Sequence, residues 1–331
     1  MVKIYSPTGS EGSLVSFLVK WAREHGFTSY RDVVGNFIAE RGTGKEVMLV
    51  GHVDTVPGEI PVKRVDNLLY GRGAVDAKGA LACFLEAASS ADLRNRIVVV
   101  GAVDEEGRSR GARHLLPGFN PSSIIIGEPS GWDSITIGYK GRFHIEYEGT
   151  REKIHSSLES FNSIEEAIVF INRIRRFCDS YNANKSMFHQ LGMKIEAIHS
   201  DTDGFTDSSH MKIVFRIPPG FQKRKLKRVI ETHKGKAQVQ YSLYEAPVKA
   251  SKKNGLISAF LRSIRSLDGA ATFKVKSGTS DMNILQAFKV PIVAYGPGNS
   301  RYDHTPHEHL DLEEYEKSVT VMKKVLVALQ A

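Results

Sequence analysis

Four short apolar runs, at 47–50, 97–100, 123–126 and 292–295, constrain this chain more than any other feature. Runs of this length with almost no polar interruption mark strands buried on both faces. Segments of helical spacing precede and separate them. One begins near Ser10, sets Leu14, Phe17, Leu18 and Trp21 on one face, and stops near Gly26; another covers 78–90. Buried strands alternating with amphipathic helices define an α/β fold, a mixed sheet covered by helices on both faces. At 41% hydrophobic residues, the chain has enough apolar material for a sizeable core.

The pattern changes in the middle third. A longer strand of mixed polarity is expected at 135–148, an Arg-rich amphipathic helix at 165–177, and paired strands at 193–198 and 211–217. A very basic helix at 222–233 and an alternating strand at 237–244 follow. This β-α-β-β-α-β order describes a small α+β sandwich, two helices on one antiparallel sheet. The helix and buried-strand pattern returns with helices from Leu256 to Leu267 and from Asp281, the strand 292–295, and a last helix from Leu312. The expected organisation is therefore one α/β domain, residues 1–133 and 250–331, interrupted by an inserted domain at 134–249. With 331 residues the chain is long enough for two domains.

No apolar run approaches the roughly 20 residues needed to cross a bilayer. The first residues lack a basic stretch followed by an apolar one, so no secretory signal is expected. Cys83 and Cys178 have neither a disulfide framework nor thiolate-metal spacing around them. A cytoplasmic protein with no membrane partner is the expectation. The formal charge of +8 suits nucleic acid, an anionic membrane, or an acidic protein or substrate, with solvated helix faces as the plainer reading. Nucleic acid is not expected, because there is no RNP-type strand, zinc finger or basic heptad region.

Chemistry-bearing residues gather at the C-terminal ends of the buried strands or just beyond, the edge where open α/β sheets build their sites. In Gly51-His52-Val53-Asp54, His52 and Asp54 share one face of an extended chain. A metal-ligating imidazole usually gives its second N–H to a carboxylate, and Asp54 is placed to be that orienter. Gly71-Arg72-Gly73-Ala74-Val75-Asp76-Ala77-Lys78-Gly79 has neither P-loop nor dinucleotide spacing, and reads instead as a tight loop carrying Asp76. In Asp104-Glu105-Glu106-Gly107 the two glutamates face opposite ways, so one can ligate a metal while the other meets the substrate. Glu128 follows a further strand, and Asp303, His304, His307 and His309 cluster after Gly296-Pro297-Gly298. Imidazole with hard carboxylate oxygens suits zinc, cobalt or manganese.

Taken in order, GHVDTVPG, GRGAVDAKG, DEEG, GEPS and HTPHE resemble the di-zinc aminoacylase and carboxypeptidase family, which includes acetylornithine deacetylase and succinyl-diaminopimelate desuccinylase. The resemblance covers essentially the whole chain. It implies two divalent metal ions, zinc or alternatively cobalt. His52 and Glu128 would hold one, Glu106 and His304 the other, with Asp76 bridging. It implies further that Asp54 orients His52 and that Glu105 is the general base and acid. The Asp76–Ala77 peptide would be cis, and His155 in the inserted domain, the family's lid, would be a donor to the oxyanion. His304 is chosen over His307 because Thr305-Pro306-His307-Glu308 matches the stretch following the family's ligand. Family resemblance also implies a homodimer formed through the lid.

For the substrate, Gly278-Thr279-Ser280-Asp281 resembles the family's substrate loop, which makes Thr279 a candidate contact. Arg216 offers a guanidinium fork to a carboxylate, although many relatives carry Asn-x-Ile-Pro where this chain has Arg216-Ile217-Pro218. The compact length, Gly138-Tyr139-Lys140-Gly141 and residues 215–220 resemble one branch in particular. Those hydrolases release lysine or ornithine from the C-terminal glutamate of a small acidic amino-group carrier protein, an activity belonging to lysine and arginine biosynthesis. The alternative is deacylation of small acylated amino acids.

Overall fold

The computed structural model describes residues 1–92, 94–155, 157 and 161–330. Two compact units emerge: Met1–Gly138 with Ala250–Val275 and Ser280–Ala331, and Tyr139–Lys249 with Lys276–Thr279.

In the first unit a large sheet runs in the order Thr28–Arg31, Phe37–Arg41, Arg96–Ala102, Glu46–His52, Ser123–Gly127, Ile292–Tyr295, Ser134–Tyr139. Its centre is parallel and made of the four apolar runs. Phe37–Arg41 and Ser134–Tyr139 join antiparallel. The strands Glu46–His52 and Ser123–Gly127 are buried at every residue, as a sheet covered on both faces requires. Helices Gly12–Glu24, Lys78–Ser90, Gly255–Arg265 and Leu312–Ala328 cover it, with Leu14, Leu18, Leu81, Phe84, Ile257, Phe260, Met322 and Val325 in one core with the strand side chains. Each such aliphatic or aromatic side chain contributes roughly 1.5–3 kcal/mol by leaving water.

Close approach at the strand ends sets the site's position. A Cβ on Gly51 would stand 3.1 Å from Leu81 Cβ, and one on Gly296 would stand 2.6 Å from Ala80 Cβ. Strands that end in glycine let the helix Lys78–Ser90 settle directly onto their C-terminal edge, which brings the preceding loop, with Asp76, beside His52.

The second unit is a four-stranded antiparallel sheet, in the order Gly192–Thr202, Thr206–Ile217, Gly141–Glu152, Gln238–Glu245, with helices Ser163–Asn182 and Lys223–His233. Its core joins Phe143, Ile145, Phe170, Ile174, Phe215 and Leu226. Asn162 caps the first helix by accepting from Glu165 N while Glu165 reaches back to Asn162 N, a reciprocal capping box. The second helix buries only Leu226 and Ile230. Its lysines partly lie on sheet aromatics, Lys223 Nζ 3.9 Å from the Tyr244 ring centre and Lys227 Nζ 4.2 Å from that of Tyr241.

Three expectations need correction. The single strand expected at 135–148 is two, Ser134–Tyr139 in the large sheet and Gly141–Glu152 in the small one. The boundary expected after residue 133 accordingly falls after Gly138, because Thr136 still pairs with Ala294 of the first unit. Lys276–Thr279, expected with the first unit, clusters with the second. Among the described residues, no helix is long and apolar enough to cross a membrane.

Candidate metal centre

His52 ends its strand fully buried, and its two ring nitrogens are both engaged. Nδ1 lies 2.9 Å from the Asp54 main-chain carbonyl and 3.5 Å from the Asp54 carboxylate, while Nε2 lies 3.2 Å from Asp76 Oδ1. The second oxygen of Asp76 lies 3.0 Å from His304 Nε2, which also lies 3.0 Å from Glu106 Oε1. Asp76 thus presents one oxygen to each histidine. Two donor groups result, His52 with Asp76 and Glu128, and Asp76 with Glu106 and His304. Within each group the donor atoms lie within 4.8 Å of one another. Among the described residues these groups include His304 and neither His307 nor His309. The Asp76–Ala77 peptide bond is cis, as the resemblance implies.

Backbone conformation helps aim these groups. His304 and Asp104 have φ of 61° and 64°, in the left-handed region that side chains other than glycine's seldom occupy. Asp104 opens the turn that carries the two glutamates; its main-chain oxygen accepts from Ser109 N at 2.6 Å. From the other side, buried Asn36 accepts from Val103 N at 3.0 Å and donates to the Gly111 carbonyl.

The Asp54 carboxylate does more than face His52. Its Oδ1 accepts from Glu105 N at 3.1 Å, and its Oδ2 accepts from Glu106 N at 3.1 Å and from the Thr8 hydroxyl at 2.8 Å. One buried carboxylate therefore fixes the main chain of both glutamates.

The electrostatics suit cations. Burial opposes charging of Asp76, yet the bonds from His304 and His52 hold its carboxyl far below the usual range. Hydrogen bonds to Asp76 and Glu106 push His304 up to about 10. Burial works against protonating His52, and its bonds to Asp54 and Asp76 outweigh it, holding the imidazole well above its usual value. Burial drives the Glu105 carboxyl well above its ordinary range; His52 pulls it back, while Glu128, Asp281 and Glu106 add to the rise. Carboxylates outnumber imidazoles here, and both imidazoles are drawn toward positive charge. That is the demand two divalent cations would meet with these same hard-oxygen and nitrogen donors.

The remaining sequence candidates belong to the second unit. Arg216 and Thr279 come together, Arg216 Nη1 standing 3.4 Å from the Thr279 hydroxyl. Burial, then the nearby Arg142 charge, lowers the Arg216 guanidinium from its usual value. His155 is exposed, with Nδ1 2.8 Å from the Ser157 hydroxyl; its neighbour Ser156 lies outside the described residues. Sequence reasoning missed Thr8, Asn36, Arg72 and Glu308. Arg72 and Glu308 stand inside two of the ligand-bearing motifs, and that placement is a signal that could have found them. Thr8 and Asn36 carry none in the sequence.

A mixed sheet with an inserted α+β unit and two overlapping donor groups at its strand ends defines a dinuclear metallohydrolase. The chain belongs to peptidase family M20/M25/M40, whose model matches residues 48–328. It is similar to the [LysW]-lysine hydrolase of Deinococcus radiodurans, 37% identical over 343 residues that cover 99% of this chain and 94% of that one. A putative [LysW]-lysine/[LysW]-ornithine hydrolase of Thermococcus kodakarensis is 40% identical over 333 residues, 100% of this chain and 90% of that one. Among solved structures, a Staphylococcus aureus tripeptidase superposes with a TM-score of 0.83 at 19% identity, covering 100% of this chain and 96% of that one. An M20 family metallo-carboxypeptidase of Sulfolobus solfataricus superposes at 0.80 with 16% identity, covering 98% and 96%.

Proposed function

We propose that this protein hydrolyses the amide bond joining lysine or ornithine to the C-terminal glutamate of an acidic amino-group carrier protein, in the biosynthesis of lysine and arginine. Full-length similarity to hydrolases named for that reaction carries the reading, and the intact donor set with Glu105 beside it supports it. The two cations are proposed to be zinc, with cobalt as a working substitute. The protein is proposed to act in the cytoplasm as a homodimer formed through the inserted unit.

His52 and Glu128 would hold one cation, Glu106 and His304 the other, and Asp76 both. When bound, the pair would supply an acidified water and polarise the scissile carbonyl. Glu105 takes the proton from the attacking water and returns it to the leaving amine, a task suited to a carboxyl whose pKa burial has raised well above its ordinary range. Asp54 keeps that carboxyl in place through the main chain. Arg216 and Thr279 offer a guanidinium and a hydroxyl to a substrate carboxylate, and His155 is the proposed donor to the oxyanion.

The test is a direct comparison of substrates. Purified protein is given the carrier carrying lysine or ornithine on its terminal glutamate, and separately acetylornithine and succinyl-diaminopimelate. Loss of one amino-acid mass from the carrier, at a kcat/KM well above that for either free compound, is the expected result. Faster turnover of a free acylated amino acid would overturn the carrier reading in favour of a small-molecule deacylase.

A further inference from the structure

Arg72 and Glu308 belong to two of the ligand-bearing motifs, and no role in the chemistry above falls to either. Both are buried, Arg72 7% and Glu308 0% exposed. Glu308 Oε1 accepts from two consecutive main-chain donors, Val75 N at 3.0 Å and Asp76 N at 3.1 Å. Its Oε2 accepts from Arg72 Nη1 at 2.8 Å. Arg72 in turn donates through Nε to the Gly58 carbonyl at 2.8 Å and through Nη1 to the Thr305 carbonyl at 3.3 Å. One ion pair thereby reaches the loop after His52, the loop holding Asp76, and the residue directly after His304.

A buried ion pair is a poor device for stability alone, since desolvating the two charges offsets most of their attraction. Apolar side chains of similar volume would fill the same space at less cost. What they would lack is a planar fork that satisfies oxygens from separate loops at fixed angles, together with an anion that grips the main chain of Asp76.

We propose that Arg72 and Glu308 are positioning residues for the metal centre: together they set the main-chain position of Asp76 and tie it to the loops that carry His52 and His304. This rests on the reading of Asp76 as the ligand shared by both cations. Glu308→Gln tests it closely. The amide keeps the volume, but its nitrogen must face either Arg72 or the two N–H groups, and both are donors. Arg72→Met/Glu308→Gln removes the first conflict and leaves the amide oxygen to the N–H groups.

The experiment measures cobalt(II) binding to the full-length protein by competition with a chromophoric chelator. The cobalt absorption spectrum is recorded beside it, with far-ultraviolet circular dichroism of the metal-free protein as the control for folding. Wild type is expected to bind two ions. Glu308→Gln and Arg72→Met should each weaken binding about tenfold or more, the scale seen when groups that orient metal ligands are removed. They should also alter the cobalt spectrum while the metal-free dichroism stays unchanged. The double variant should bind no worse than the weaker single variant, because the two residues act as one unit. Arg72→Lys keeps the charge but cannot reach all three oxygens, so it should weaken binding less. It decides the matter should Glu308→Gln not fold. Single variants with wild-type affinity and spectrum, or losses that multiply in the double variant, would overturn the proposal while leaving the metal reading intact. Wild-type protein that binds no cobalt would overturn both.

Discussion

Asp54→Asn separates two accounts of a fully buried carboxylate in the centre. His52 Nδ1 lies closer to the Asp54 main-chain carbonyl, at 2.9 Å, than to its carboxylate, at 3.5 Å, and the substitution leaves that carbonyl in place. The Glu105 and Glu106 N–H groups, each 3.1 Å from a carboxylate oxygen, are not so protected. The Thr8 hydroxyl can turn to accept from an amide nitrogen, but a main-chain N–H cannot turn. At least one of the two therefore loses a bond to a charged acceptor, worth about 1.5–3 kcal/mol. Since about 1.4 kcal/mol is tenfold in rate, a loss spent on misplacing the glutamates lowers kcat roughly 10- to 100-fold with little change in KM. The assay is steady-state turnover of the carrier conjugate with metal-replete protein, with bound metal counted by atomic emission. If the Glu106-side cation is the one weakened, adding Glu106→Ala to Asp54→Asn should remove little further metal, while adding His52→Ala should remove more. Wild-type turnover in Asp54→Asn, or the opposite order of metal loss, would refute the reasoning and return Asp54 to orienting His52 alone.

Glu105→Gln should keep both metals and lose about 10²- to 10⁴-fold in kcat, because the proton carrier is gone while the donors stand. Glu106→Gln should instead lower metal content, and an exchange of these two phenotypes in a paired metal and kinetic assay would reverse the assignment. For an acidic carrier, KM should rise with ionic strength, by roughly tenfold at the low end of electrostatic steering. Arg224→Glu with Arg228→Glu, both on the exposed side of the helix Lys223–His233, should raise KM in the same way at unchanged kcat. A KM indifferent to salt and to that reversal would remove the charge argument for a protein substrate.

The legible part of this molecule was its buried part. Continuous apolar strands such as 123–126 and 292–295 announced themselves by composition alone, and the parallel centre of the sheet followed. Thr28–Arg31 at the edge of the large sheet, and Lys63–Val65 at the edge of a separate three-stranded sheet, are short and largely exposed, so they carry no apolar run to read. The break at Lys140-Gly141 was hidden because one strand runs almost directly into the other; only pairing with different sheets divides them. In the site, candidate donors stood out because side chains with metal affinity lie at or beyond the buried strand ends, and the family resemblance implied which of them share a cation. The groups that fix those donors act through main-chain N–H and carbonyl groups, as Asp54 does on Glu105 and Glu308 does on Asp76. Motif position flags Asp54 and Glu308 themselves, but the main-chain contacts they make depend on loop geometry and leave no spacing to read.

The most direct measurement of the central claim is anomalous X-ray diffraction at the zinc absorption edge from crystals grown with zinc. Two peaks per chain are predicted, one within reach of His52, Asp76 and Glu128, the other within reach of Asp76, Glu106 and His304, with Asp76 touching both. A single peak, or two peaks that do not share Asp76, would contradict it.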